Sequence, residues 1–395
     1  MRRVGWVVTA GAALLVLGAC SNKATTTAAS SPSPSVAGPQ TFKVLVDGHT
    51  ADNKVGFLAY FPKEVSVHPG DTVTFHSAFS GEPHTVAIGT AIDTALNKVD
   101  AILKANPKAL DNGPPPPELA KLPQLLPQGP GDAIQAAAQP CVVEATGTLP
   151  KTAACPTQAL TAGFDGTQQL TSSGWLAADQ DWSLAFSPTA KPGKYRFMCQ
   201  LHGPEMTGAV TVVDSATTVK DAAAVEAQGI SDRDADIAKM KPAFDLLATG
   251  TAAKAYAGTF AEAVQTGFVA QFGPSNIKIP VGGSVSWTVL GGHSIAFNAP
   301  ADAQSLRIPG AGGVVHVSQK AAVPAGGPGA DPSAQNLPPL IDGGTWNGVG
   351  FRNSGLIFGG PPPHTTAFKL TFSKAGTYAF ICTVHVDMKG TVTVG

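Results

Sequence analysis

Gly193-Lys-Tyr-Arg-Phe-Met-Cys199-Gln-Leu-His202-Gly-Pro-Glu-Met206-Thr-Gly-Ala-Val-Thr-Val-Val213 is written a second time, with small changes, as Gly376-Thr-Tyr-Ala-Phe-Ile-Cys382-Thr-Val-His385-Val-Asp-Met388-Lys-Gly-Thr-Val-Thr-Val394. Gly, Tyr, Phe, Cys, His, Met, Gly and a closing alternation of valines recur in order. The first copy has one extra residue between His and Met. The alternation of apolar and polar residues predicts half-buried strands on either side of a short, donor-rich loop.

The repeat continues upstream. Val65-Ser-Val67-His-Pro-Gly70-Asp-Thr-Val73-Thr-Phe75 lines up with Ile277-Lys-Ile279-Pro-Val-Gly282-Gly-Ser-Val285-Ser-Trp287. Each reads as strand, glycine turn, strand. Each is followed by a histidine, His84 in Pro83-His84-Thr85-Val86 and His293 in Gly292-His293-Ser294-Ile295. A weaker echo pairs Ser173-Gly174-Trp175-Leu176 with Ser354-Gly355-Leu356-Ile357. A repeat of this size is a duplicated domain rather than a solenoid unit. The expected organisation is therefore all-β, with two β-sandwich domains at residues 41–215 and 261–395. Between them, 216–260 is Ala-rich with helix-compatible spacing. It predicts a linker of one or two helices, interrupted at Gly229 and Pro242. Insertions at about 90–165 and 300–350 separate the first His of each copy from its Cys.

The chemistry lies in the repeated donors. Each copy supplies His, then Cys-x-x-His and Met: His84, Cys199, His202 and Met206 in the first, His293, Cys382, His385 and Met388 in the second. A soft thiolate and two imidazoles suit copper in both of its common redox states, and a thioether can complete a weak axial position. A structural zinc site is disfavoured because Met is a poor zinc ligand. The expected cofactor is one copper per domain, two in all. His49, His68, His76, His316 and His364 fall on predicted loops or strand faces without such spacing and read as surface residues.

Both halves resemble the cupredoxins, the plastocyanin/azurin family, through the repeated Tyr-x-Phe-x-Cys-x-x-His…Met-x-Gly-x-Val-x-Val ending. The spacing from Cys382 to Met388 is similar to the short ligand loop of amicyanins, and that from Cys199 to Met206 is one residue longer. The resemblance covers roughly 42–90, 166–214, 264–300 and 350–395. It implies two Greek-key sandwiches, each with a type 1-like copper site at one end. It also implies that His202 and His385 are where electrons enter. Thr85 and Ser294 stand where plastocyanins usually carry Asn.

The remaining sequence bounds the function. The formal net charge is −1, with 13% charged residues, 44 Gly and 33 Pro. This is the composition of a turn-rich β protein, without the basic footprint of a nucleic-acid binder. Arg2 and Arg3 precede an apolar run from Val4 to Leu17 that ends Leu17-Gly18-Ala19-Cys20. The run reads as a signal peptide, residues 1–19. Its ending resembles a bacterial lipobox, which implies lipidation of Cys20. Residues 20–40 are Ser/Thr/Ala/Pro-rich and read as a flexible tether. In an exported chain Cys141 and Cys155 could close a short disulfide loop. The expected location is the outer face of the cytoplasmic membrane, held there by lipid alone, with redox proteins of the cell surface or periplasm as partners.

Three functions remain in view: an electron carrier cycling Cu(I)/Cu(II), a copper capture or delivery protein, and a copper oxidoreductase. Enzymes of this fold wire the Cys to a catalytic centre through a flanking His. Here the flanks are Met198/Gln200 and Ile381/Thr383, and no His-x-His pair occurs. The expectation is a carrier rather than a catalyst.

Overall fold

The computed structural model describes residues 38–395, apart from 49, 51, 53, 79–80, 108–136, 150–154, 156–158, 310–314, 332–336, 361–363 and 386. Cys20, the leader and the tether up to residue 37 lie outside the described residues, as do His49 and much of the first insertion.

The chain is all-β with few helices, folded as two β-sandwiches. In the first, a four-stranded sheet runs in the order Tyr60–Phe61, Thr41–Val46, Thr72–Ser77, Gln180–Ala185. It faces a six-stranded sheet in the order Glu64–Val67, Gly203–Val212, Gly193–Cys199, Ala87–Ile88, Leu170–Ser172, Cys141–Val143. The repeated segments build the same parts twice. Thr72–Ser77 and Ser284–Val289 both alternate half-buried and buried positions, so Val73 and Phe75, like Val285 and Trp287, point into their cores. Each such fully buried large side chain contributes about 1.5–3 kcal/mol. The turns before these strands carry Gly70 at φ 93° and Gly282 at φ 81°, a backbone region open to glycine at little cost.

The second sandwich repeats the arrangement with one intrusion. Its first sheet is ordered Val55–Phe57, Val264–Gly273, Ala255–Ala261, Ser284–Val289, Thr366–Phe372, Leu340–Trp346. The edge strand Val55–Phe57 comes from the first half of the chain and pairs antiparallel with Val264–Gly273. The second sheet is ordered Asn276–Ile279, Lys389–Val394, Gly376–Ile381, Ala296–Phe297, Arg352–Ser354, Pro324–Ala325. Between the two sandwiches lies an apolar seam of Leu45, Phe57, Phe61, Met240, Leu247, Tyr256, Val269 and Leu290.

Helix α1 (Thr90–Ala105) buries Ile92, Ala95, Leu96 and Val99 against the first sandwich, beside a disulfide between Cys141 and Cys155 with a Cα–Cα distance of 5.5 Å. Helix α2 (Ala222–Ile237) is capped by Asp221, whose carboxylate accepts the Ala224 N–H at 2.7 Å. It runs unbroken through Gly229, contrary to the expected interruption. That glycine is buried, and a Cβ there would meet the Phe61 carbonyl oxygen at 2.5 Å. The residue marks close packing of helix on strand. Pro242 likewise starts helix α3 (Lys241–Ala248) rather than interrupting one, at a position where its missing N–H has no partner to lose. The helices end at Ala248, and the second sandwich begins at Ala255, inside the stretch expected to be linker. Among the described residues no helix is long and apolar enough to cross a membrane.

Candidate metal centres

The strand Gly193–Cys199 hands directly to Gly203–Val212, and Cys199 lies opposite Gly203 in the register. The short swing between the strands turns Cys199 and His202 toward one point. Met206 follows in the second strand and is fully buried in the same apolar cluster as Cys199. Gly376–Ile381 and Lys389–Val394 do the same for Cys382, His385 and Met388.

The first histidine of each set comes from the segment leading into the strand that pairs with the strand running up to the cysteine, Ala87–Ile88 in the first sandwich and Ala296–Phe297 in the second. His84 makes a bridge to Leu176, and His293 ends the short strand Gly291–His293 opposite Ile357 in Ile357–Gly359. The weak sequence echo is therefore the segment that positions this histidine. Its serines act alike: Ser173 Oγ accepts the Val86 N–H at 2.8 Å, and Ser354 Oγ accepts the Ile295 N–H at 2.9 Å.

Two groups of donors result. His84, Cys199 and His202 lie with their donor atoms within 4.8 Å of one another, as do His293, Cys382 and His385. No other described residues bring three such donors together. Cys199 Sγ is 3.4 Å from His202 Nδ1. Cys382 Sγ is 3.8 Å from His293 Nδ1 and 3.6 Å from His385 Nδ1. His84 Nδ1 is buried without a hydrogen-bond partner. A buried imidazole nitrogen with a free lone pair beside a cysteine sulfur is what a soft metal ion requires, so the residues fit copper.

The surroundings favour the thiolate form of both sulfurs. Burial would push the Cys199 thiol up, yet His202 and His84 hold it well below its ordinary value, and His293 and His385 do the same for Cys382. Backbone N–H groups point at both sulfurs, from Thr85 at 3.3 Å and from Ser294 at 3.5 Å. The side chains of the same two residues tie the donor-bearing segments together. Thr85 Oγ1 accepts the Gln200 N–H at 2.7 Å, and Ser294 Oγ accepts the Thr383 N–H at 2.8 Å. A hydroxyl thus joins the first-histidine segment to the residue after the cysteine in both halves.

Three residues that the sequence did not single out complete the site. Asp47 is fully buried, and its Oδ2 lies 2.7 Å from His84 Nε2. A carboxylate only accepts, so Nε2 carries the hydrogen and Nδ1 is left free for a metal. Burial lowers His84, but Asp47 overrides it and lifts the imidazole to about 9. Tyr60 donates its hydroxyl to the Thr85 carbonyl at 2.7 Å and stacks edge-on against Phe197. Glu82 lies between the two groups. Its Oε1 is 3.0 Å from His202 Nε2 and its Oε2 is 3.6 Å from His385 Nε2. Burial would raise this carboxyl, and the two histidines hold it well below the usual range. An Asp-Gly step at 47–48 is a turn signal, which could have drawn attention to Asp47. Nothing in the sequence around Glu82 marks it.

The expectation that His202 and His385 receive electrons from outside meets an obstacle here. The His385 side chain is 1% exposed and the His202 side chain 15%, and both ring edges face Glu82 rather than solvent. Docking of the sandwiches across this end has covered them. Among the described side chains, His68, His76 and His364 stay apart from both groups. His68 Nε2 is 2.8 Å from the Thr217 carbonyl oxygen, His76 Nδ1 is 2.7 Å from Asp181, and His364 is exposed.

No family model matches the chain, and no curated protein does. Solved structures similar to it are cupredoxins. Auracyanin of Roseiflexus castenholzii is 20% identical, covered over 99% of its length by 45% of this chain, with a TM-score of 0.24. Auracyanin A of Chloroflexus aurantiacus, described as a blue copper protein, is 18% identical, covered over 100% of its length by 45% of this chain, with a TM-score of 0.23. The plastocyanin of Dryopteris crassirhizoma is 28% identical, covered over 100% of its length by 36% of this chain, with a TM-score of 0.19.

Proposed function

We propose that this chain is an extracytoplasmic electron carrier with two type 1-like copper sites, one in each His–Cys–His group, and Met206 and Met388 as weak fourth donors. The observation that carries the reading is the same trio in both halves, a buried cysteine whose donor atom lies within 4.8 Å of those of two histidines, with a buried methionine close by in sequence, Met206 within the strand Gly203–Val212 and Met388 just before Lys389–Val394. Copper, when bound, supplies a one-electron Cu(I)/Cu(II) couple. The chain's own part is to place the donors before the metal arrives, to shield them from water and to donate backbone N–H groups to the sulfur. Donors preset by packed strands move little when the charge of the site changes, which favours electron transfer over slow exchange of the metal. Under the same proposal the chain is held outside the cytoplasmic membrane by a lipid on Cys20 and exchanges electrons with redox proteins there.

The test is copper counting and visible absorption on the loaded protein, with Cys199→Ser and Cys382→Ser beside it. The expected result is two coppers and an intense thiolate-to-copper band, with each substitution removing one copper and its share of the band. Absence of any thiolate band would sink the electron-carrier reading. Rapid loss of copper to a weak chelator would point to copper as cargo instead.

A further inference from the structure

The two sandwiches repeat their His, Cys and His and the backbone N–H groups that point at the sulfurs, which makes one difference beside the first histidine informative. In the parallel strand pairs, Val46 lies opposite Ser77 and Ala257 opposite Val289. Ser77 and Val289 are equivalent in the repeat, so the residues that follow, Asp47 and Gly258, are equivalent too. Both have left-handed backbone, at φ 65° and φ 71°. Asp47 sets a carboxylate against His84 Nε2. At Gly258 even a Cβ would come within 1.9 Å of His293 Nε2, so the second centre excludes any side chain there. The first centre has an anion backing its first imidazole, and the second has none at the matching place.

Glu82 adds to the inequality and joins the two groups. It approaches His202 more closely than His385, so the first centre receives the larger share of its negative charge. It hydrogen-bonds His202 Nε2 at 3.0 Å and lies 3.6 Å from His385 Nε2, an ion-pair distance without a hydrogen bond, and the Nδ1 of each imidazole faces a cysteine sulfur. The path from one cysteine to the other therefore runs through two imidazoles and one carboxylate. On its flanks, Leu201 and Val384, the residues just before the two histidines, pack together with Trp175, Leu306 and Leu356.

We infer that the two centres form an unequal, coupled pair, in which Asp47 biases the first toward its oxidised state and Glu82 links it to the second, so that electrons run from first to second. The inference rests on the proposed function. An anion hydrogen-bonded to a ligand imidazole raises its basicity and stabilises the higher charge of an oxidised metal. With copper held by both groups, His84, Cys199 and His202 would hold the ion that gives up one electron as Cu(I), and His293, Cys382 and His385 the ion that takes it up as Cu(II). No covalent bond changes and no proton has to move. Asp47 and Glu82 are positioning residues: they act through the histidines.

Spectroelectrochemistry of the copper-loaded single-site variants tests the bias. Cys382→Ser reports the first centre and Cys199→Ser the second. The first is expected at the lower potential. Asp47→Gly, which installs the second domain's own residue at a backbone angle glycine accepts, is expected to raise the first potential and leave the second unmoved. Asp47→Asn keeps the shape should the glycine variant fail to fold, and is expected to shift the same way. Equal potentials, or an unmoved first potential in the folded variant, overturn the bias. In the two-site protein, fast one-electron reduction should be followed by a first-order phase, independent of protein concentration, that carries the electron to the second centre. Glu82→Gln is expected to slow that phase about tenfold, the lower end of the effect of losing an outer partner of a ligand. An unchanged phase overturns the role of Glu82. A copper count of zero overturns the parent reading, whereas two coppers with indistinguishable potentials overturn only the pairing.

Discussion

Thr85 shows how much one side chain can do at such a site. Its N–H points at the Cys199 sulfur, its hydroxyl accepts the Gln200 N–H, and its carbonyl accepts the Tyr60 hydroxyl. Thr85→Val keeps the shape and the backbone contacts but strips the acceptor from a buried N–H. That is expected to destabilise the metal-free protein by about 1–3 kcal/mol, measured by urea unfolding. It should also shift the thiolate band of the first centre alone. A variant as stable as the parent would mean that Gln200 N–H finds another acceptor. Ser294→Ala is the matching experiment in the second sandwich, where Ser294 Oγ also lies 2.8 Å from Thr383 Oγ1. The proposed donors His84, Cys199, His202, Met206, His293, Cys382, His385 and Met388 stand out in the sequence because thiol, imidazole and thioether recur at fixed offsets, and the fold brings the His, Cys and His of each set together. Asp47 and Glu82 do not stand out, because a carboxylate reveals its role only through the histidine it meets, and Asp47 is 37 residues from His84 while Glu82 is 120 from His202.

At the scale of elements, the helices answer to tertiary contact more than to propensity. Gly229 is a poor helix residue, costing about 1 kcal/mol relative to Ala, and propensity alone would break the helix there. The fold keeps it because α2 presses on the Phe61–Pro62 segment, and the same kind of contact recurs where Gly250 meets Gly273 and Pro274. The two effects oppose each other in Gly229→Ala. The gain in propensity is about 1 kcal/mol. The 2.5 Å approach to a backbone oxygen cannot be relieved by a rotamer change, and overpacking of this kind costs about 1–3 kcal/mol. A net loss of stability is expected by thermal unfolding. A rise in midpoint would show that helix and strand can separate freely. Strands are more legible than helices, because a period of two between half-buried faces survives any packing partner.

At the scale of the molecule, the two sandwiches are not beads on a linker. Val55–Phe57 leaves the first half of the chain to edge the second sandwich's sheet, with the Leu58 N–H bonded to the Thr266 carbonyl at 2.8 Å. Phe57 is fully buried in the seam. Phe57→Ala is expected to cost about 3–5 kcal/mol, the usual penalty for emptying a core phenylalanine site. Calorimetry should show one transition for the parent, since the seam and the shared sheet couple the halves. Two resolved transitions in the parent would mean that the halves melt separately and that the seam contributes little.

Local rules determined a great deal here. The duplicated all-β pattern, the glycine turns and the eight proposed donors follow from residue type and spacing, which act over a few neighbouring residues. What only the tertiary structure decided is how the two copies meet. Their donor-bearing ends face each other, so His202 and His385 turn toward Glu82 instead of solvent. One matched position carries Asp47 and the other Gly258, and the difference matters because the first folds against an imidazole edge while the second leaves no room for a side chain. The reason is physical: periodicity and donor spacing are properties of a short stretch of chain, whereas a half-buried carboxylate between two histidines exists only once distant segments have packed together.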